Sequence, residues 1–551
     1  MQCEKNFEIE LLERRRRIKS NGQFEDFYVF KIEIGGNVIK KKVPENKVES
    51  FSWVVEATHG VARYRGKRGI ENNFYNLVHD AIDDKISEVP FLTFYERNGW
   101  KRFPEGWFYV EGNGVIGSRR KDVFGNSEMC LQIDHQILEI ECCKQFMLME
   151  KVLVNPDISR FLMIFLCASV LGTLYEEIGA PLRFVLALLG TTNTMKTTTA
   201  KLFTQFYNAR DIQKLDVTFA STKGGIETFV SQYTDAILLI DDFMPADNRA
   251  EMQEMVGKLK SIIRMYGDRV AKSRMSADPT RRREVNEVCG SCIVTAEILP
   301  GIKSSQTRVI TLELVKNGVD KEWLTYFQKR PLLLPTFLHG FIEYVSLNCE
   351  LILRHMTGFF EIYRNSAGFS VPRYNDVAAQ MRVALDLFCN YLNTMGLNGN
   401  DVRLEWTRSV YTIIARNDNQ QHQTDYAAMI AEAIVEGIAQ RKGTKSVKEI
   451  TKLGIGEIYE DDLFYYITYI TAGDMFTIYR QYCGRYGIPC YLGKNDIIKK
   501  MLENDMLETV YDYRGYVQTS RKLCQGQGIT QRFLYIRKNN VSHFCEKEDV
   551  L

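Results

Sequence analysis

The stretch that decides the fold runs from Leu182 to Thr198 and reads LRFVLALLGTTNTMKTT. An apolar strand leads into a loop that begins at Gly190 and ends in Lys-Thr-Thr, where a polar helix opens. Loops of this kind wrap phosphates with backbone N–H groups, while the lysine, here Lys196, neutralises their charge and the following hydroxyl, here Thr197, faces a magnesium ion. The pattern predicts a site for a nucleoside triphosphate and Mg²⁺. Its residues are Gly190, Thr191, Thr192, Asn193, Thr194, Met195, Lys196, Thr197 and Thr198.

One position departs from the pattern G-x-x-x-x-G-K-[ST]. Met195 stands where the second glycine is expected. A side chain there would crowd a loop that glycine lets approach the phosphates closely. We therefore expect nucleotide binding to tolerate this residue better than rapid turnover does.

A second element of the same site follows in residues 235–243, which read DAILLIDDF. Strands of a parallel sheet are buried on both faces and therefore continuously apolar, and ligand sites form beyond their carboxyl ends. Asp241 is predicted to help hold Mg²⁺, and Asp242 to orient or deprotonate the attacking water. An ordinary core strand with a solvated Asp-Asp turn explains this element alone, but its place after the Lys196 loop favours the nucleotide site.

Two further strands extend the predicted site. Residues 292–297 read CIVTAE, so Thr295 or Glu297 is placed to sense a γ-phosphate at the carboxyl end of a third strand. Arg308 lies in SSQTRVITLEL, just before a fourth strand. In a ring of subunits such an arginine reaches the phosphates of a neighbour, as an arginine finger does. A surface arginine before a strand is the alternative.

The chain between the Asp241 strand and the Thr295 strand is strongly basic, and its cations include Lys258 and Arg269. From Arg269 to Val288 it reads as a long hairpin with cations on both arms. Cations on a hairpin suit contact with a phosphate backbone, which supplies affinity without sequence information. A basic solvated loop is the alternative. The predicted DNA contacts are Lys272, Arg274, Arg281, Arg282 and Arg283.

Together these elements resemble a known family over about Phe161 to Val345. The segment is similar to the AAA+-type P-loop ATPase core of superfamily III and MCM-like replicative helicases, and closest to a domain family of unknown function in phage, plasmid and genomic-island proteins. The chain also resembles the self-loading replication helicases of staphylococcal cassette and pathogenicity-island elements. GTTNTMKTT, LLIDDF, the basic hairpin, IVTAE and SSQTR carry the resemblance. The family's usual Asp-Glu pair is Asp241-Asp242 here.

The resemblance implies a homo-oligomeric, hexameric ring that hydrolyses ATP with Mg²⁺ to move along single-stranded or forked DNA. In that family the hairpin lines the central channel of the ring, and the arginine that corresponds to Arg308 completes the site of the neighbouring subunit. The activity expected from the resemblance is DNA unwinding during replication of a mobile element.

Composition sets outer limits on these predictions. At 551 residues the chain has room for three or four domains, and 45% apolar with 25% charged residues is typical of a globular protein. The longest apolar run, Phe161 to Leu174, is too short to span a bilayer, so we expect a core helix and no membrane partner. MQCEKNFEIE is no signal peptide, and scattered cysteines fit reduced thiols. These features predict a cytoplasmic protein.

Residues 1–150 are predicted to form a β-rich N-terminal domain. Alternating apolar residues flank an Asn21-Gly22 turn, and a second hairpin follows at Gly35-Gly36. Arg14 to Arg17 and Lys40 to Lys42 make this meander basic. Basic strands with exposed aromatic residues bind single-stranded DNA by stacking. The core of a small β domain is the alternative explanation for the aromatic residues.

After the N-terminal domain, the sequence predicts the ATPase core over residues 151–347. A helical connector is predicted to follow over residues 348–470. A winged-helix domain over 471–551 is then expected, because helices near 475–486 and 495–504 precede two β stretches, 508–518 and 531–537. DNA contact, a solvated surface and protein contact are all open for its cations. The predicted DNA contacts here are Lys499, Lys500 and Arg521.

The sequence thus predicts an α/β protein: a P-loop AAA+-like parallel-sheet core with a β-rich N-terminal domain, a helical connector and a C-terminal winged helix. The predicted function is that of an ATP-dependent DNA helicase. Two alternatives remain. One is an ATP-gated DNA-binding initiator or regulator with slow turnover, and the other is a protein-remodelling or defence ATPase.

Overall fold

The structure is a computed structural model in which the chain forms two compact units. The first comprises Met1–Met244, Lys258–Glu297 and Arg308–Arg416, and the second comprises Pro245–Gly257, Ile298–Thr307 and Asn417–Leu551. The residues that the structure describes are 4–65, 70–204, 207, 217–243, 249–270, 287–297, 299, 307–422, 426–440, 443–446, 458–468, 473–486, 490, 492–512, 514, 516–522 and 532–546.

The first unit begins with small sheets and two helices. Its strands are β1 (Glu4–Lys5), β2 (Phe7–Ile18), β3 (Phe24–Ile34), β4 (Asn37–Pro44), β5 (Tyr64–Arg65), β6 (Phe91–Tyr95), β7 (Gly99–Phe103), β8 (Gly106–Glu111), β9 (Gly114–Ile116) and β10 (Val123–Phe124). The helices are α1 (Ser52–Ala57) and α2 (Ile70–Asp83), and a 3₁₀ turn spans Glu45–Lys47. The sheets have the orders β10-β6-β2-β3-β4, β7-β8-β9 and β1-β5.

Both predicted hairpins are confirmed. Strands β2 and β3 pair antiparallel, as do β3 and β4. Gly22 at φ 79° and Gly36 at φ 80° supply the left-handed residues that these tight turns need. One half of the sheet packs Phe30 against Trp53 of α1 and Phe74 of α2. The aromatic residues of that half are therefore core residues.

A parallel sheet forms the centre of the first unit. Its strands are β11 (Val185–Leu189), β12 (Val217–Thr218), β13 (Ile237–Phe243), β14 (Ser291–Ala296) and β15 (Val309–Glu313). They lie in the order β12-β13-β14-β11-β15, and every neighbouring pair is parallel. The four buried strands expected from the sequence are thus present. Because all strands are parallel, their carboxyl ends meet along one edge, where α/β sheets bind ligands.

Helices surround this sheet and continue beyond it. They are α3 (Glu139–Met147), α4 (Pro156–Val170), α5 (Gly172–Glu177), α6 (Lys196–Thr204), α7 (Lys223–Gln232), α8 (Arg249–Asp268), α9 (Lys321–Gln328), α10 (Leu333–Leu347), α11 (Cys349–Ser366), α12 (Pro372–Thr394) and α13 (Gly399–His422), with a 3₁₀ turn at Leu148–Val152. The Asn155 side chain caps α4 by accepting from Asp157 N, and Pro156 opens the helix.

The apolar run that begins at Phe161 is a core helix, as predicted, because every residue of α4 from Ile158 to Val170 is buried. Within the described ranges, no helix combines the length and the apolar character that crossing a bilayer would need.

Among its described residues, the second unit contains four further helices and two sheets. The helices are α14 (Tyr426–Gln440), α15 (Gly473–Arg485), α16 (Lys494–Glu503) and α17 (Lys538–Glu546). The strands are β16 (Lys445–Ser446), β17 (Ile458–Glu460), β18 (Phe464–Thr468), β19 (Val510–Tyr511), β20 (Val517–Gln518), β21 (Arg521–Lys522) and β22 (Arg532–Arg537). The sheet orders are β16-β17-β18-β22-β21 and β19-β20.

The sequence predicts that residues 508–518 and 531–537 pair with each other as a two-stranded wing. The structure shows a different pairing. The first stretch folds on itself as the β19–β20 hairpin, whereas β22 pairs antiparallel with β18. Tyr466 and Tyr535 meet edge to face across that pair, with ring centroids 4.7 Å apart, and Phe533 is buried beside them. An apolar strand finds more buried surface against β18 than in an isolated two-stranded ribbon. The winged-helix assignment itself stays a prediction.

A buried carboxylate joins the N-terminal strands to the central sheet within the first unit. Asp235 is fully buried, and its carboxylate accepts hydrogen bonds from Trp100 N at 2.9 Å, Thr173 N at 2.6 Å and Thr173 Oγ1 at 2.8 Å. Burial raises its pKa to about 6, although the donors at Thr173 and Trp100 and the charge of Lys101 oppose that rise.

We expect the stability of the protein relative to an Asp235→Asn variant to fall as pH rises from about 4 to above 6. The folded-state pKa of about 6 lies above the unfolded value of about 3.9. The contribution of Asp235 is therefore fully present below pH ~4 and is lost as pH rises through ~6, by roughly 2 to 3 kcal/mol. Thermal unfolding midpoints of both proteins across this range measure the difference. A difference that does not change with pH would contradict the titration of Asp235.

Candidate nucleotide site

The loop from Gly190 to Met195 leaves the carboxyl end of β11 and closes on itself before α6. A Cβ atom on Gly190 would lie 2.6 Å from Thr194 Oγ1 and 2.7 Å from Leu314 O, so only glycine fits. Thr194 Oγ1 donates to Thr191 O at 2.8 Å. Lys196 Nζ donates to Gly190 O and, at 3.1 Å, to Thr191 O. The ammonium group therefore lies against the loop at the start of α6, where the helix dipole favours an anion.

Two residues of this loop adopt the left-handed conformation, Asn193 at φ 70° and Met195 at φ 61°. Asparagine tolerates this region, but a bulky side chain does so at a cost. Met195 therefore takes the backbone conformation of the glycine that the pattern expects. Met195 therefore differs from the expected glycine in two ways: its side chain is larger, and its backbone conformation is strained.

We expect Met195→Gly to raise the free energy of unfolding by about 1 kcal/mol, because it removes the left-handed strain of a residue with a Cβ. The strain relief is partly offset by the greater freedom of glycine in the unfolded chain. Urea denaturation monitored on both proteins measures the change. Met195→Ala is the matched control, since it shortens the side chain but keeps the Cβ. An equal gain with alanine would assign the effect to crowding instead.

Three elements bring polar side chains together next to the loop. Asp241 Oδ1 accepts from Thr197 Oγ1 on α6 at 2.9 Å and from Thr295 Oγ1 on β14 at 2.5 Å. Asp242 N donates to Thr295 Oγ1 at 2.9 Å. Thr295 is only 1% exposed, so its hydroxyl fixes the two aspartates rather than facing solvent. The structure thus joins Lys196, Thr197, Asp241 and Thr295 at one edge of the sheet.

Asp242 occupies an irregular position in β13. The pairing of β13 with β14 shifts between Ile240 and Phe243, and Asp242 has φ 67° and an exposed side chain. A bulge of this kind re-aims a side chain at the end of a strand. Left-handed residues other than glycine persist where the surrounding structure holds them and are common in functional sites. The sequence contains no signal for this bulge.

Glu297 and Arg308 lie in different places relative to the loop. Thr192 Oγ1 donates to Glu297 Oε1, so Glu297 touches the loop from the end of β14. Arg308 O accepts from Val185 N at 2.9 Å, and this bond lies at the amino ends of the strands, at the edge opposite the loop. The guanidinium pairs with Asp268 Oδ1 at 2.8 Å. Arg308 is therefore not brought to the loop of the same chain.

A pocket of about 340 Å³ opens beside the first turn of α6. Six of its lining residues are apolar, and the polar ones are Thr197, Thr198, Lys201, Gln328 and Arg330. The Arg330 guanidinium stacks on the Tyr326 ring at 3.6 Å, which holds it in place. Sequence reasoning missed this pocket because its walls come from distant segments. They are Met149, Thr197, Thr198, Lys201, Leu202, Phe327, Gln328, Arg330, Pro331, Leu333 and Leu334.

The predicted DNA contacts of the basic hairpin, Lys272, Arg274, Arg281, Arg282 and Arg283, lie outside the described residues. At the base of this segment Val270 and Glu287 form an antiparallel bridge.

Two cations of the basic stretch between the Asp241 and Thr295 strands have structural contacts. Lys258 is buried and donates to Phe219 O at 2.8 Å. Arg269 is buried and binds Glu176 Oε1 at 2.7 Å and Gly290 O at 2.7 Å.

In the second unit, Lys499 and Lys500 lie on α16 and pair with Glu503, at 3.9 Å and 2.6 Å. Arg521 stacks on the Tyr535 ring at 4.0 Å. The roles of all these cations in DNA binding stay predictions.

Among the residues that the structure describes, no group of three or more His, Cys, Asp or Glu side chains could hold a metal ion. A magnesium ion bound with a nucleotide does not require such a group. It takes one or two protein oxygens and completes its shell with phosphate and water. The hydroxyl of Thr197 and the carboxylate of Asp241 are oxygen donors of this kind, and they lie in hydrogen-bond contact.

Comparison with known proteins gives a family match over part of the chain and a structural match over nearly all of it. Residues 69–263 match the model of a domain of unknown function, DUF927. No curated protein matches the chain significantly by sequence. The solved structure "SCCmec type IV Cch - active helicase" aligns with 98% of this chain and 94% of its own, at 12% identity and a TM-score of 0.55. The chain therefore has a helicase-like fold. The apo A form of the NrS-1 C-terminal region aligns with 93% of the chain and 94% of its own at 11% identity, with a TM-score of 0.28.

Proposed function

We propose that this protein is an ATP-dependent DNA helicase or translocase that acts in the replication of a mobile genetic element. The observation that carries the proposal is the junction of Lys196, Thr197, Asp241 and Thr295 at the carboxyl edge of the parallel sheet. The fold shared with the SCCmec type IV Cch active helicase supports the same function.

In this proposal the loop residues 190–195 and Lys196 bind the phosphates of ATP, with α6 directing its amino terminus at them. Thr197 and Asp241 would hold Mg²⁺, because they present a hydroxyl and a carboxylate oxygen 2.9 Å apart. Magnesium, when bound, neutralises charge between the β- and γ-phosphates. Thr295 positions Asp241 through its buried hydroxyl, and it also holds the backbone of Asp242.

The remaining predicted roles follow from position. Asp242 projects from a bulge at the sheet edge and orients or deprotonates the attacking water. Glu297 contacts Thr192 of the loop and responds to the γ-phosphate. Arg308 lies at the opposite edge of the sheet and acts on the nucleotide of a neighbouring subunit in a hexameric ring.

The pocket beside α6 is assigned to the base and ribose of the nucleotide. It begins at Thr197 and Thr198, which adjoin the phosphate loop, and its apolar walls suit a flat heterocycle. The side chain of Gln328 offers both a donor and an acceptor to the edge of a base.

Steady-state ATP hydrolysis, measured with and without single-stranded DNA and paired with unwinding of a forked duplex, tests this function. We expect DNA to stimulate hydrolysis and Lys196→Ala to eliminate it. The triple change Arg281→Ala, Arg282→Ala, Arg283→Ala should abolish unwinding and leave basal hydrolysis largely intact. Hydrolysis that DNA does not affect, or unwinding that survives the triple change, would contradict the proposal.

The strained Met195 favours one alternative, an ATP-gated DNA-binding initiator with slow turnover. In that case ATP binding would change DNA affinity while hydrolysis stayed slow with DNA present. Met195→Gly would then restore DNA-stimulated turnover.

A further inference from the structure

Strand β2 has two halves of opposite character. Its first half contributes Phe7 and Leu11 to the core that α1 and α2 cover. Its second half reads ERRRRI, and this half pairs antiparallel with the start of β3 and parallel with β6. The core described above therefore ends halfway along the strands, and a different surface begins there.

The register places cations and aromatic rings of this second half on one face of the sheet. Arg14 lies opposite Phe91 of β6, and Ile18 lies opposite Phe24 of β3. Residues directly opposite on neighbouring strands share a face, and alternate residues along a strand do so as well. Arg14, Arg16, Phe24 and Phe91 thus share one face, and we refer to them as the arginine–phenylalanine row.

The row is an ordered stack. The Arg16 guanidinium lies 4.1 Å from the Phe24 ring centroid and 5.3 Å from that of Phe91, and the Arg14 guanidinium lies 4.9 Å from that of Phe91. Asp26 accepts two hydrogen bonds from Arg16, both 2.8 Å, which fix its plane. These bonds lower the pKa of the Asp26 carboxyl. Arg14 forms no ion pair with any residue that the structure describes.

The rings of the row are open to solvent. Phe24 is 58% exposed and Phe91 is 37% exposed, so neither serves mainly as a core residue. Burial of these rings would be favourable, and their exposure beside guanidinium groups is typical of a binding surface rather than of a solvated one.

We propose that the arginine–phenylalanine row is a binding platform for single-stranded nucleic acid. Bases stack on Phe24 and Phe91 whatever their identity, since every base has a flat aromatic face. The guanidinium of Arg14 contacts backbone phosphate, and Arg16 keeps the two rings apart and oriented. An acidic peptide would use the cations but would leave the two exposed rings without a partner. The platform works without ATP and is separate from the nucleotide site.

Fluorescence anisotropy of labelled oligo(dT) with the full chain, in the absence of nucleotide, tests the platform. The double variant Phe24→Leu/Phe91→Leu removes both rings and keeps apolar bulk. We expect its affinity for oligo(dT) to fall by at least about tenfold, from the usual strength of base stacking on aromatic side chains. Affinity for an abasic strand of the same length should not change. Arg14→Ala should weaken binding of both strands, because it removes a phosphate contact.

Tyr75→Leu is the matched control, because Tyr75 is a 44% exposed aromatic residue on α2, away from the row. Oligo(U) in parallel distinguishes DNA from RNA as the bound strand. Unchanged oligo(dT) binding by the double variant, an equal loss for the abasic strand, or an equal loss in Tyr75→Leu would each overturn the proposal. Basal ATP hydrolysis should equal that of the wild type. A wild-type protein that hydrolyses no ATP would refute the helicase function. It would not affect the conclusion on oligo(dT) binding by the arginine–phenylalanine row.

Discussion

Asp242→Asn is expected to lower the rate of ATP hydrolysis by about 10³-fold while leaving nucleotide affinity unchanged. A carboxylate that orients or deprotonates water contributes about 10² to 10⁴ in rate, and an amide cannot take the proton. Asparagine suits this test because it tolerates the left-handed conformation that Asp242 adopts at φ 67°. The bulge in β13, and the hydrogen bond from Asp242 N to Thr295 Oγ1, should therefore survive the substitution.

Single-turnover hydrolysis and equilibrium binding of a fluorescent ATP analogue separate these two effects. Glu297→Gln is the matched control, since Glu297 also lies at the sheet edge but contacts Thr192 of the loop. We expect a smaller loss for Glu297→Gln than for Asp242→Asn. A larger loss for Glu297→Gln would make Glu297 the residue that activates water.

Arg308→Ala is expected to reduce hydrolysis by about 10³-fold or more, which is the usual contribution of an arginine finger. The physical reason is its position. Arg308 precedes β15 at the amino edge of the sheet, so it cannot reach the loop at the carboxyl edge of the same subunit. Its loss should leave ATP binding intact. Steady-state hydrolysis and nucleotide binding, measured on the same preparation, check both statements.

Mixing variants distinguishes action between subunits from a structural role. A Lys196→Ala subunit lacks its own site but supplies Arg308, and an Arg308→Ala subunit has the complementary defect. We expect a mixture of the two inactive proteins to regain measurable hydrolysis. Asp268→Asn is the control for the ion pair, whose partners are partly exposed and which therefore contributes only about 0 to 1 kcal/mol. No recovery on mixing would argue against a finger acting between subunits.

Much of the central fold was predictable because its signals are local. Continuous apolar stretches before Gly190 and Asp241 predicted buried parallel strands, and both strands are present. Turn residues such as Gly22 and Gly36 predicted the first hairpins, because few residues other than glycine take their conformation. Helical spacing of apolar residues likewise predicted α15 and α16 within a few residues.

Other features depend on residues that are far apart in the chain. The pairing of β22 with β18 depends on the apolar surface that each strand finds, and the sequence order of the stretches indicated a different partner. No local pattern around Asp235 indicates its contacts. Its carboxylate nevertheless accepts hydrogen bonds from Trp100 N and Thr173 N, which are far from it in the sequence. The pocket beside α6 is closed by Phe327 and Leu333, which no pattern near the loop indicates.

By itself, the sequence determined which residue types stand at the ends of which strands: lysine and threonine after β11, two aspartates at the end of β13, threonine in β14 and arginine before β15. Only the tertiary structure decided that Thr197, Asp241 and Thr295 share hydrogen bonds, that Arg308 lies at the opposite edge, and that Met195 and Asp242 are left-handed. The reason is that periodicity and turn propensity act over a few residues. Strand order, bulges and side-chain contacts are set by the packing of the whole sheet.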